Sequence, residues 1–227
     1  MLFLGKHGYR VIAHDRRGHG HSTQSWSGND INTYAADLNA VINHLNLKNI
    51  ITVGHSTGGG EVTRFLGTYG TSKVAKAVLI GSITPSLGIP LSVWDTFRTN
   101  YITNRPQLFL DFASGPFFGF DRPRANVSQG LIQEFMEQGF KAGFVNLYDC
   151  ITAFSETDFT ADMKKLNIPV LILHGDADEV VPIDNTARKA IQILKHGALK
   201  IYPGGAHALP QTNANQVNQD LLDFIQK

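Results

Sequence analysis

Short apolar runs punctuate the chain at "RVIAHD" (10–15), "NIITVGH" (49–55), "KAVLIGS" (76–82), "PVLILHG" (169–175) and "ALKIYPG" (198–204). Runs of this length, with little polar alternation, predict strands buried on both faces. The segments between them switch to a helical period. Tyr34, Leu38, Val41, Ile42 and Leu45 share one helix face, as do Val62, Phe65, Leu66 and Tyr69. Ala187, Ile191 and Leu194 form a third stripe, and Val217, Leu221, Phe224 and Ile225 a fourth. Strand alternating with helix predicts an α/β fold, a mostly parallel sheet with helices on both faces. The alternation stops over about residues 84–160, which are rich in Phe, Gly and Pro and carry weaker helical patterns around 91–112 and 129–154. This stretch is expected to be an inserted helical cap (84–160) on a core made of residues 1–83 and 161–227. Met1 to Leu4 have the pattern of a buried helix end, an unusual opening for a chain.

Composition narrows the setting. Hydrophobic residues make up 42% of the 227 and charged residues 17%, enough for one sizeable core. The formal net charge is +1, and no Lys/Arg block exceeds two residues, so neither nucleic acid nor an anionic membrane is an expected partner. Cys150 stands alone, which excludes an internal disulfide framework and fits a reducing, cytoplasmic compartment. No apolar run approaches the roughly 20 residues of a membrane span, and no secretion signal is legible.

The chemistry concentrates in "ITVGHSTGGGEV" (51–62). Gly54-His55-Ser56-Thr57-Gly58 is a G-x-S-x-G pattern lying after an expected strand and before an expected helix. In that context it reads as a sharp turn presenting Ser56 as a nucleophile. The alternative is a glycine-rich turn with a serine helix cap. A serine hydroxyl needs a base to take its proton and donors to hold the oxyanion, and the Thr57 amide at the helix start is one such donor. The partners should follow as acid, then histidine, each after a later strand. "LILHGDADEVVP" offers Asp176 and Asp178, and "YPGGAHAL" offers His207. His14, His19 and His21 cluster in "AHDRRGHGHS" but match no common zinc spacing, so no metal is expected and the loop is read as one held by Asp15, Arg16 and Arg17. His55 and His174 read as packed neighbours, and Cys150 as a core thiol. Trp26, Trp94, Phe97, Phe117, Phe118 and Phe154 are candidates to line an acyl or aryl pocket, most of them doubling as core.

"HDRRGHGHS", "GHSTGGGEVTR", "AFSETDFTADMKK" and "HGDADEVVP" together resemble the cofactor-free haloperoxidase and aryl-esterase branch of the α/β-hydrolases, along essentially the whole chain. The resemblance implies the α/β-hydrolase fold and no cofactor. It assigns Ser56 as nucleophile, His207 as base and Asp178 as the acid that orients it, with Asp176 left to bind turn amides. It also puts Trp26 near the site mouth, ahead of Phe118 and Phe154 as a substrate contact. The implied activity is hydrolysis of small acyl or aryl esters through an acyl-enzyme, with peroxide able to replace water. A lactone or lactam hydrolase with the same triad is the nearest alternative.

Chains of that family begin roughly 45 residues earlier, with further strands and an H-G-W/F-P loop whose amide is the second oxyanion donor; nothing in this sequence matches that loop. In that fold a strand lies between "RVIAHD" and "NIITVGH", so these two are expected either to pair directly or to leave backbone groups unsatisfied. Met1 is therefore expected to be an internal methionine of a longer protein. A non-catalytic remnant is the rival reading from a different class. Ala206 and Ala208 flank His207 where the family usually has Pro and Gly.

Overall fold

Alternating residues of the central strands face opposite sides, and both sides are apolar. Ala77 and Leu79 join one buried cluster with Val170 and Ile172, whereas Val78 and Ile80 join another with Leu171 and Leu173. A sheet so patterned must be covered on both faces. In a computed structural model describing residues 1–227, it is.

The chain runs α1 (Leu2–Lys6), α2 (Ile31–His44), β1 (Ile50–His55), α3 (Thr57–Tyr69), β2 (Val74–Ile80), α4 (Leu91–Phe112), α5 (Gln129–Phe140), α6 (Phe144–Glu156), α7 (Thr160–Met163), β3 (Val170–Gly175), α8 (Ala187–Ile193), β4 (Gly197–Tyr202), α9 (Leu209–Thr212) and α10 (Ala214–Gln226). The four strands are parallel in the order β1-β2-β3-β4, with Val78 opposite Leu171 and Leu171 opposite Ala198. Helices α2, α3 and α8 contribute to the cluster on one face, α9 and α10 to that on the other. Asp30 caps α2 by accepting from the Asn32 and Thr33 amides, which starts the helix where its apolar stripe begins. Helices α4, α5 and α6 lie between β2 and β3 in sequence, with α5 and α6 each packed on α4.

Two expectations fail. Residues 10–15 are not a strand: none of their backbone groups pairs with another backbone group, and Ile12 is 40% exposed. A strand needs a neighbouring strand within about 5 Å, and none of the four strands pairs with 10–15. Of the two alternatives for 10–15 and β1, direct pairing does not occur, and the backbone groups each would offer the other are left without backbone partners. β1 pairs with β2 alone, so its other edge is open, and Val53 on that strand is 46% exposed. The opening residues do form a helix, α1, yet none of its side chains is buried and Leu2 is 74% exposed. The helical period was readable there; the burial was not, because α1 touches little besides α10.

Candidate active site

The turn from β1 into α3 places Ser56 at φ 54°, ψ −122°, a region that L-residues occupy only when the surroundings enforce it. Its amide donates to the Ile80 carbonyl at 2.9 Å, and its carbonyl accepts from Gly59 at 2.9 Å. A Cβ on Gly54 would run into the Gly58 carbonyl, so the turn can be this tight only with glycine there. Thr57 opens α3, and its amide belongs to the unpaired first turn of that helix.

Beyond β3 the chain folds Asp178 inward until it is 5% exposed. Its Oδ1 accepts from the amides of Val180 (3.0 Å) and Val181 (2.7 Å), and its Oδ2 from His207 Nδ1 (2.8 Å). Burial by itself would raise the Asp178 pKa, but the hydrogen bond and charge of His207, with the Val181 amide, outweigh it and hold the carboxyl below its ordinary value. Asp176 faces elsewhere and accepts from the Gly204 amide at 2.7 Å, which ties the acid turn to the loop carrying His207.

His207 lies between β4 and α9, 1% exposed. The next amide, Ala208, donates to the Phe117 carbonyl at 3.0 Å. The flanking Ala206 and Ala208 are themselves buried, so small side chains suit this loop as well as the family's Pro and Gly. With Nδ1–H given to Asp178, Nε2 keeps its lone pair.

Ser56, Thr57 and His207 line one cavity of about 380 Å³. Phe117, Phe118, Phe154, Trp94 and Phe97 form much of its wall. Trp94 and Phe154 meet edge to face at 5.1 Å, and the Phe117 ring stands edge-on to His207 at 5.3 Å. Glu134, Gln138 and Gln211 supply polar groups, and no Lys or Arg lines the cavity. Ser56 and His207 share this cavity without a hydrogen bond between them, a common state of such pairs before substrate enters.

Trp26, expected near the site mouth, is 86% exposed and does not line the cavity. Phe112 and Phe135, which do line it, were missed. The spacing of Leu131, Phe135 and Gln138 along one face of α5 was the available signal.

The histidine-rich loop is a web of separate ties. Asp15 accepts from the His21 amide at 2.8 Å, Arg16 donates to Glu61 at 2.9 Å, and Arg17 forks onto Asp37 with both bonds at 2.8 Å. No group of three or more His, Cys, Asp or Glu side chains is placed to hold a metal ion. Cys150 is buried, its pKa raised by that burial, with Arg16 3.9 Å from its sulfur.

His55 sits under the turn, and its pKa falls from 6.5 to about 4, first through burial and then through the nearby His207. An unfolded chain therefore binds a proton that the fold refuses between those two values, and stability rises with pH there. The contribution is complete above pH 6.5 and is lost as pH falls toward 4, about 3 kcal/mol in all. The melting temperature of the parent is expected to fall across this window in a pH series. His55→Gln should flatten the slope; an equally steep slope would locate the acid sensitivity elsewhere.

Residues 3–214 match the α/β-hydrolase fold family. The chain belongs to that family. Among its relatives, a non-heme haloperoxidase of Rhodococcus erythropolis is 51% identical over 234 residues, covering all of this chain and 85% of the relative. A bifunctional esterase/perhydrolase of Acinetobacter calcoaceticus is 46% identical over 233 residues, covering 99% of this chain and 84% of the relative. The crystal structure of a bromoperoxidase from Bacillus anthracis superposes with a TM-score of 0.95 at 36% identity, over all of this chain and 85% of that one. These place this α/β-hydrolase in the non-heme haloperoxidase and esterase branch, among enzymes. No helix of the hydrolase is long and apolar enough to cross a membrane.

Proposed function

We propose that this α/β-hydrolase cleaves small acyl or aryl carboxylic esters through an acyl-enzyme on Ser56. One observation carries the reading: a buried Asp178–His207 pair, joined at 2.8 Å, opens onto the same apolar cavity as a serine on a strained turn. His207 Nε2 takes the Ser56 proton as Oγ attacks the ester carbonyl, and the Thr57 amide faces the oxyanion at the positive end of α3. The Nε2 proton then passes to the departing alkoxide. Water, deprotonated by the same nitrogen, attacks the acyl-serine and releases the acid. Asp178 holds the Nδ1–H tautomer throughout and steadies the imidazolium.

Hydrogen peroxide in place of that water releases a peracid and free Ser56. The reading extends to this step because relatives bear the names perhydrolase and haloperoxidase. Formation of the peracid changes no oxidation state at the protein and needs no redox cofactor. The aromatic wall of the cavity favours uncharged acyl or aryl groups. The lone, buried Cys150 suits a cytoplasmic setting.

A second reading is ester binding without turnover: the turn itself offers the Thr57 amide as its one oxyanion donor, and losing a single oxyanion donor costs about 10²–10³ in rate. Hydrolysis of p-nitrophenyl acetate by the purified chain, set beside Ser56→Ala, separates the two. Turnover by the parent alone supports the esterase. Parent and variant both at the buffer blank, with the parent folded by circular dichroism, would overturn it in favour of the second reading.

A further inference from the structure

We propose that His55 and His174 are positioning residues: each gives its single ring N–H to a backbone carbonyl of a loop carrying another member of the site. They stand near the carboxyl ends of β1 and β3, with Gly81 just past β2 between those strands, and the three make a platform at the Asp178–His207 pair. The inference rests on the acid and base roles proposed for that pair.

The sheet sets the platform. His55 ends β1 opposite Ile80, Ile80 lies opposite Leu173, and the Gly81 amide donates to the Leu173 carbonyl at 2.9 Å. Gly81 and His174 follow Ile80 and Leu173, so each lies one residue past the level of His55. Gly81 is at φ 47°, which L side chains rarely adopt, and a Cβ there would come into ordinary contact, 3.4 Å, with both Asp178 Oδ2 and His207 Nδ1. The backbone angle is what keeps glycine at the middle of the platform.

The flanks bear polar groups with one assignment each. His55 Nε2 lies 2.9 Å from the His207 carbonyl, across 152 residues of sequence, with the two rings 4.8 Å apart. His174 Nε2 lies 2.8 Å from the Val181 carbonyl and 3.5 Å from Asp178 Oδ2. A carbonyl only accepts, so both rings carry their proton on Nε2 and leave Nδ1 bare. For His174, wholly buried, Nδ1 has no partner, and a second proton there would have nothing to meet. Burial lowers the pKa of both rings, which keeps them neutral single donors while His207 cycles. His207 and Asp178 both sit on irregular segments, and their spacing depends on such ties. Misplacement by about 1 Å is worth roughly 10²-fold in rate.

Gln carries an amide nitrogen where the histidine Nε2 sits; Phe fills a similar space with no donor. His55→Phe and His174→Phe are expected to lower kcat for p-nitrophenyl acetate by roughly 10–100-fold with KM little changed, whereas each Gln variant recovers most of the loss. Equal activities of the Phe and Gln variants would overturn the proposal. Nitrogen NMR of the ring atoms reads the same assignment without turnover, on the intact chain. From pH 5 to 8 both rings should show a protonated Nε2 and a bare Nδ1. An Nδ1–H tautomer or a doubly protonated ring in that range would overturn the proposal too. If the spectrum is as expected and the parent has no esterase activity, the platform stands and the catalytic reading falls. Should His174→Phe fail to fold, His174→Gln and the spectrum carry the test for that residue.

Discussion

Asp178→Asn is expected to lower kcat by roughly 10⁴ while leaving the fold in place. The geometry dictates how. Oδ1 of Asp178 is bound by two amides, Val180 and Val181, and an asparagine carbonyl can take over that role. Its NH₂ is then forced toward His207 Nδ1, where the carboxylate had been an acceptor. Two donors cannot face each other, so His207 must shift its proton to Nε2, and the atom that should deprotonate Ser56 arrives already protonated. Steady-state kinetics on p-nitrophenyl acetate with a melting curve of the variant check this. Activity above a tenth of the parent would mean that the tautomer is held by something other than Asp178. Asp176 is not that group, because its carboxylate is committed to the Gly204 amide.

Gly175→Ala is expected to lower the melting temperature by roughly 6–12 °C and to reduce activity with it, corresponding to about 3 kcal/mol of overpacking. Gly175 ends β3 opposite Tyr202, and a Cβ there would fall onto the Gly205 carbonyl. The obstacle is backbone on both sides, so no side chain can swing away. Relief requires the acid turn and the base loop to part, which breaks the bonds from Asp176 N to Tyr202 O and from Ala177 N to Gly205 O, both 3.2 Å. Thermal denaturation and the ester assay on one preparation read both effects. A variant as stable as the parent would show that the two backbones are less closely apposed than they stand here.

Features set by local chemistry were legible in the sequence. The turn at Ser56 could be read because Gly54 answers to a contact four residues away, the Gly58 carbonyl. The buried runs at β2 and β3 could be read because a strand covered on both faces must be apolar throughout. Features that depend on a distant neighbour were not legible. "RVIAHD" has the composition of a strand, but pairing is a property of two segments, and its composition says nothing of a partner. The orientation of Trp26 depends on how its loop packs, not on its own hydrophobicity. His55 and His174 were recognisable as packed, yet the bond from His55 spans 152 residues and leaves no periodic trace. Phe135 was hidden for a related reason: its stripe on α5 is ordinary for a core helix, and only the fold turns it toward a cavity.

The open side of β1 has a consequence beyond the chemistry at its tip. A row of unpaired amides and carbonyls carrying a half-exposed valine can accept an extended segment as a further strand. Nothing on that edge guards it: Ile50 to His55 has no lysine, proline or bulge turned toward the gap, only a register shift on the side facing β2. Whatever extended segment fills that row is held chiefly by its backbone, so the edge selects for conformation more than for sequence.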